Sequence, residues 1–111
     1  MQTASIVLAM YPYSDSNDYK IRPALILSNE KFNRAHNYFL LCPLTTKMTL
    51  PAYEIPLQKT DVTGTLNEQS YIRTDALASI NKDRVLKEIG KVTPKLYKQV
   101  IVKINENFAK V

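Results

Sequence analysis

The 111 residues carry 15 Lys and Arg against 10 Asp and Glu, a net charge of +5, with 45% apolar and 23% charged residues; this is the balance of one folded globular domain and excludes a disordered or fibrous chain. No apolar run approaches the ~20 residues needed to cross a bilayer, residues 1–5 lack the basic and apolar regions of a signal peptide, and a single cysteine excludes an internal disulfide framework and fits a reducing cytoplasm. One histidine excludes a two-histidine acid–base mechanism within a subunit and a histidine-rich metal site, while the positive charge fits an anionic partner, nucleic acid or an acidic protein.

Ser5 to Tyr11 is nearly all apolar and reads as a first strand buried on both faces, ended by Pro12. Residues 12–21 are rich in turn formers and read as an exposed loop; Tyr13 and Tyr19 there suit base stacking or plain surface packing. Lys20-Ile21-Arg22-Pro23 then leads into the short branched run Ala24 to Leu27, a buried strand bounded by breakers. Pro23 is expected at the strand's first residue, where a missing N–H leaves no ladder bond unmade, and it holds Arg22 extended. That places a guanidinium at the mouth of a rigid strand, either as an anion site or as a solvated cation.

Glu30 to Asn37 has room for one short helical turn. Tyr38 to Leu44 is a third strand closed by Pro43, with Cys42 as a buried thiol, and it leads into Thr45-Thr46-Lys47. Ala52 to Leu57 alternates and includes a proline, as an edge strand does. Residues 58–68 read as a polar connection, Ser70 to Asp75 as another strand, Asn81 to Arg84 as a turn, and Val85 to Val92 as a last strand broken near Gly90. Arg73 and Asp75, two apart on a strand, point to one face, which fits a surface ion pair as well as a site. The ending is a helix: Thr93 is an N-cap and Pro94 the favoured first residue. Its apolar stripe is Leu96, Tyr97, Val100, Ile101, Ile104 and Phe108, and Lys95, Lys98, Lys103, Asn105 and Glu106 form the outer face. The expected architecture is α+β and mainly β in a single domain over 1–111: a small barrel or strongly curved antiparallel sheet with one packed C-terminal helix.

Taken together, Arg22-Pro23-Ala24-Leu25-Ile26-Leu27-Ser28, Cys42-Pro43-Leu44-Thr45-Thr46, Ser70-Tyr71-Ile72-Arg73-Thr74-Asp75 and Ile89-Gly90-Lys91-Val92 before a terminal helix resemble the PemK/MazF family, the toxin halves of type II toxin–antitoxin pairs. The order and spacing of these segments cover nearly the whole chain. The resemblance implies an SH3-like, CcdB/PemK-like barrel with a helix and a homodimer. It also implies metal-independent, cofactor-free cleavage of single-stranded RNA at short sequences, with an acidic antitoxin whose tail occupies the RNA groove. It assigns catalysis to Arg22, Thr45, Arg73 and Asp75; for RNA binding, Tyr19, Lys20, Thr46 and Lys47 are the candidates. Two features depart from many relatives. Ala4-Ser5 stands where they have Gly-Asp, and the loop before Arg22 carries Asp15, Asp18 and Lys20 without a glycine or histidine. The competing readings are a gyrase poison of the same fold, which depends on a C-terminal tryptophan this chain lacks, and a binding module of this fold without catalysis.

Overall fold

The computed structural model describes residues 1–12, 18–64 and 66–109. Its elements are β1 (Ser5–Pro12), β2 (Tyr19–Ile26), α1 (Glu30–Ala35), β3 (Tyr38–Thr45), β4 (Glu54–Pro56), β5 (Val62–Gly64), β6 (Tyr71–Arg73), β7 (Ala78–Asn81), β8 (Val85–Val92) and α2 (Pro94–Phe108), with single helical turns at Pro51–Tyr53, Lys59–Asp61 and Lys82–Arg84. The strands form one antiparallel sheet in the order β4-β6-β3-β2-β1-β8-β5, with β7 also on β3. Its end strands β4 and β5 do not pair with each other, so of the two expected forms, barrel or curved antiparallel sheet, the open sheet is the one present. Two register shifts between β1 and β8, at Ile6/Val7 and Leu8/Ala9, are irregularities of the kind that bend a ladder.

Strand alternation sorts the apolar side chains into two layers. One face carries Ile6, Leu25, Cys42, Leu44 and Ile72 and is covered by Leu96, Val100 and Ile104 of α2. The other carries Val7, Ala9, Tyr11, Ala24, Ile26, Phe39 and Leu41, closed over by Ile80 and Val85. Thr93 caps α2 as its sequence predicts, its hydroxyl oxygen accepting from the Leu96 N–H at 3.2 Å. The apolar stripe holds through Ile104, with Tyr97 half-buried and donating its hydroxyl to the Leu27 carbonyl at 2.6 Å. Phe108 leaves the stripe: at 75% exposure it points past the edge of the core.

Several boundaries differ from expectation. β1 and β2 stay paired out to Pro12 and Tyr19, so the predicted loop over 12–21 is shorter, and Tyr13 and Asp15 lie outside the described residues. Pro23 is consequently inside β2, opposite Leu8, and not its first residue. It falls just before the Ala24–Ile26 stretch that also pairs with β3, so only one side of β2 is occupied there and a missing N–H is tolerated. Pro43 likewise does not close β3. It sits where β3 changes partner, after β7 has paired with Tyr38 to Leu41 and before β6 pairs with Leu44 and Thr45.

The polar connection hides β5, and β8 runs through Gly90 unbroken. Gly64 and Gly90 face each other across β5 and β8; Gly64 has φ 102° and no room for a Cβ against the Ile89 carbonyl. Ala4 also has a positive φ, 71°, in the region glycine takes without steric cost. Its backbone is held there from both sides, donating to Ile26 O at 2.9 Å and accepting from the Val92 N–H at 3.0 Å.

Candidate functional site

The registers of β2, β3 and β6 settle which predicted groups share a face. Residues directly opposed in antiparallel strands project to the same side, as do residues two apart on one strand. Arg22 is two before Ala24, Ala24 opposes Pro43, Pro43 is two before Thr45, Thr45 opposes Tyr71, and Tyr71 is two before Arg73. Arg22, Thr45 and Arg73 therefore lie on one face, the face away from α2. Continuing the β2–β3 register two residues beyond Ala24–Pro43 sets Arg22 opposite Thr45. Two interstrand spacings of about 4.8 Å and two residues of about 3.3 Å separate the backbones of Arg22 and Arg73 by roughly 12 Å.

Asp75 follows in the turn after β6 and takes the Arg73 fork on both oxygens, Nε to Oδ1 and Nη2 to Oδ2, each at 3.3 Å. The pair is partly sheltered, with the two side chains 31% and 23% exposed. The residue between them is buried and holds the turn. Thr74 donates its hydroxyl to the Tyr53 carbonyl at 2.6 Å and its N–H to the same oxygen at 3.0 Å. Asn107, in the last turn of α2, donates its amide to the Thr74 carbonyl at 3.1 Å and to the Thr74 hydroxyl at 3.3 Å. Sequence reasoning missed Thr74, Tyr53 and Asn107. The signal for Thr74 was strand alternation, since a residue between two outward side chains points inward; nothing local marks Asn107.

Thr45 is half-buried, and its hydroxyl oxygen accepts from the Lys47 N–H at 3.2 Å. The same hydroxyl donates to the Lys47 carbonyl at 3.3 Å, and this reciprocal pair turns the chain so that Thr46 and Lys47 stand exposed. Lys20, two before Arg22, shares its face; Tyr19 falls on the opposite one. There the Arg84 guanidinium lies 4.1 Å above the Tyr19 ring, beside a cavity of about 330 Å³ lined by Met10, Pro12, Asn81 and Asp83. The structure thus brings seven of the eight predicted site residues to one side of the sheet or its adjoining loop and leaves Tyr19 outside that group.

Below this surface, Tyr11 is buried and its hydroxyl has no hydrogen-bond partner among the described residues. Burial raises its phenol far above the ordinary tyrosine range, Cys42 adds to the rise, and the Arg22 guanidinium opposes it. Burial alone pushes the Cys42 thiol up to about 12, so it is no nucleophile. Among the described residues no cluster of three or more His, Cys, Asp or Glu side chains is arranged to hold a metal ion, and no helix is long and apolar enough to cross a membrane. Two cations, a hydroxyl donor and a carboxylate on one face form an arrangement suited to holding an anionic tetrahedral group and taking one proton from it.

The family model for PemK-like, MazF-like toxins of type II toxin–antitoxin systems matches residues 2–108. Among solved structures, the chain is similar to the Mycobacterium tuberculosis toxin MazF-mt6, with 25% identity, 94% of this chain and 95% of that one covered, and a TM-score of 0.76. It is also similar to an endoribonuclease from Mycobacterial species solved in complex with its cognate antitoxin (18% identity, 97% and 94% covered, TM-score 0.79). A third likeness is to MazE–MazF from Deinococcus radiodurans (17% identity, 97% and 95% covered, TM-score 0.78). At these last two identities the likeness is one of fold. No curated protein matches the chain.

Proposed function

The chain belongs to the PemK-like, MazF-like toxin family, whose members are generally endoribonucleases, and from that premise we propose that it cleaves single-stranded mRNA at a short sequence, without a metal, as the toxin of a type II pair. The support is the single face shared by Arg22, Thr45 and Arg73, with Asp75 held on Arg73. In the proposed reaction the RNA's own 2′-oxygen attacks the adjacent phosphorus while Asp75 accepts the 2′ proton. The P–O5′ bond breaks, leaving a 2′,3′-cyclic phosphate and a 5′-hydroxyl whose proton comes from water.

Arg22 and Arg73 hold the non-bridging oxygens as negative charge grows on them, and the Thr45 hydroxyl turns from the Lys47 carbonyl to donate a further bond. Arginine keeps its proton too firmly to serve as the acid, and both Asp75 oxygens are taken by Arg73. Charge stabilisation and alignment therefore supply most of the acceleration; one such donor typically contributes about 10²–10³ in rate. Lys20, Thr46 and Lys47 extend the cationic, hydrogen-bonding surface along the strand. The working form is a homodimer, and an acidic antitoxin segment neutralises it by occupying the same cations. No cofactor takes part.

Incubation of the purified protein with a long single-stranded RNA, with and without EDTA, followed by mapping of both ends, tests this reading. Discrete cuts in EDTA with cyclic-phosphate and 5′-hydroxyl ends are expected. Intact RNA, or cuts abolished by EDTA, would overturn it.

A further inference from the structure

A second carboxylate stands beside the site. Glu54 of β4 pairs directly with Arg73 of β6, so the two side chains leave the same face with Cβ atoms about 4.5–5.5 Å apart. Glu54 is only 7% exposed. Its Oε1 accepts from the Thr49 N–H at 3.0 Å and from the Leu50 N–H at 2.6 Å. It thereby pins the far end of the segment whose near end is closed by the Thr45–Lys47 contact. Its Oε2 is also buried and has no hydrogen-bond partner among the described residues.

A buried carboxylate oxygen without a donor is costly to maintain, so a donor that reaches it in another state of the molecule is the economical explanation. The two nearest loop N–H groups are already spent on Oε1. The cation directly across from it is Arg73, whose two contacts to Asp75 at 3.3 Å are longer than the ~2.7–2.9 Å usual for guanidinium–carboxylate bonds. Arg73 is held loosely by one carboxylate and lies across from another that lacks a donor.

We propose that Glu54 is a positioning residue of the RNA site: when a phosphate enters, Arg73 turns part of its fork from Asp75 to Glu54 Oε2, and this release lets Asp75 take the 2′ proton. The inference rests on the nuclease reading above and removes its main conflict, an intended base held by a cation. It also ties the Thr46–Leu50 segment to Arg73 through one side chain, so the surface carrying Lys47 and the phosphate-binding group move together.

The test uses an oligoribonucleotide spanning a cleavage site mapped on a long transcript. Glu54→Gln retains an oxygen for the Thr49 and Leu50 amides but offers Arg73 no charge. It is expected to lower kcat at least tenfold with KM within about threefold. In an Asp75→Asn background, by single-turnover kinetics, the same change should cost less than twofold, because nothing remains to be released. An equal loss in both backgrounds, or a raised KM with kcat unchanged, would overturn the proposal.

A second measurement needs neither the Glu54 variant nor cleavage. In Asp75→Asn protein, the Arg73 Nε–Hε resonance is expected to stay slowly exchanging and carboxylate-paired, because the fork transfers to Glu54. A resonance typical of a solvated arginine would overturn the exchange. If the parent protein cleaves no RNA, the nuclease reading fails, and this resonance still decides the Arg73–Glu54 contact.

Discussion

Replacing Thr74 by valine isolates what the buried hydroxyl between Arg73 and Asp75 does. Valine preserves shape at a position only 1% exposed but removes the 2.6 Å bond to the Tyr53 carbonyl and the 3.3 Å acceptor for Asn107. Neither partner is orphaned: the Tyr53 carbonyl keeps the Thr74 N–H at 3.0 Å and Asn107 keeps the Thr74 carbonyl at 3.1 Å. The cost therefore falls near one lost buried hydrogen bond, about 1–2 kcal/mol. With an unfolding entropy of about 2.1 cal/mol/K per residue, 1.5 kcal/mol lowers Tm by about 6 °C for a chain of this length. The turn that aims the Arg73–Asp75 pair loosens as well. Displacements near 1 Å cost up to about 10² in rate, and we expect about a tenfold fall in kcat, with Thr74→Ser restoring most of both losses. Thermal melts and RNA-cleavage kinetics on the two variants provide the assay. A valine variant that melts several degrees lower yet cleaves at the parent rate would refute the link between this anchor and the site.

Arg22→Ala should cleave about 10²–10³-fold more slowly in single-turnover kinetics while keeping the parent's circular dichroism, and Asp75→Asn should fall to a slow residual cleavage, still measurable in single turnover, while its RNA affinity, by fluorescence anisotropy, stays close to the parent's. Cys42 keeps its proton in the folded state up to about 12 but loses it near 8.5 when unfolded. Its contribution is thus complete below about pH 8.5 and declines as pH rises from there towards 12, amounting to about 2 kcal/mol lost at pH 10. Unfolding free energies of the parent and Cys42→Ala from urea titrations at pH 7 and pH 10 should converge by that amount. Ala4→Gly relieves a left-handed backbone at 71° that costs an L-residue about 1–2 kcal/mol, less the greater freedom of glycine when unfolded. A gain of about 0.5–1 kcal/mol in denaturant unfolding is expected.

What could be read ahead of the coordinates was whatever the chain encodes locally. Thr93-Pro94 define the start of α2 to the residue and the spacing from Leu96 to Ile104 its buried face, and the apolar runs around Val7, Ala24 and Leu41 mark three strands. The prolines misled, because Pro23 and Pro43 look like strand ends unless the pairing on both sides of each strand is known. β5 was invisible, since Val62-Thr63-Gly64 acquires its meaning only from Gly90, which receives it without a Cβ in the way. The same holds for the site. Arg22, Thr45 and the Arg73–Asp75 pair carry chemistry in their own side chains and could be named as candidates from their residue types and order. Glu54, Thr74 and Asn107 act by contacts made between separate segments, and Tyr19 was assigned to a loop when strand pairing sends it to the other face.

The strand order has a bearing on how the molecule is made. β1, near the start of the chain, lies between β2 and β8, and β8 is the last strand to be synthesised. Until β8 arrives, β1 offers one unpaired edge, and α2, which seals the layer beneath Leu25, Leu44 and Ile72, is missing as well. A product interrupted before Val85 therefore lacks both the β1–β8 ladder and the helical lid. Because contacts so distant in sequence close late, the sheet that carries Arg22, Thr45 and Arg73 gains its second β1 neighbour and its helical cover only after residues 85–108 have been made.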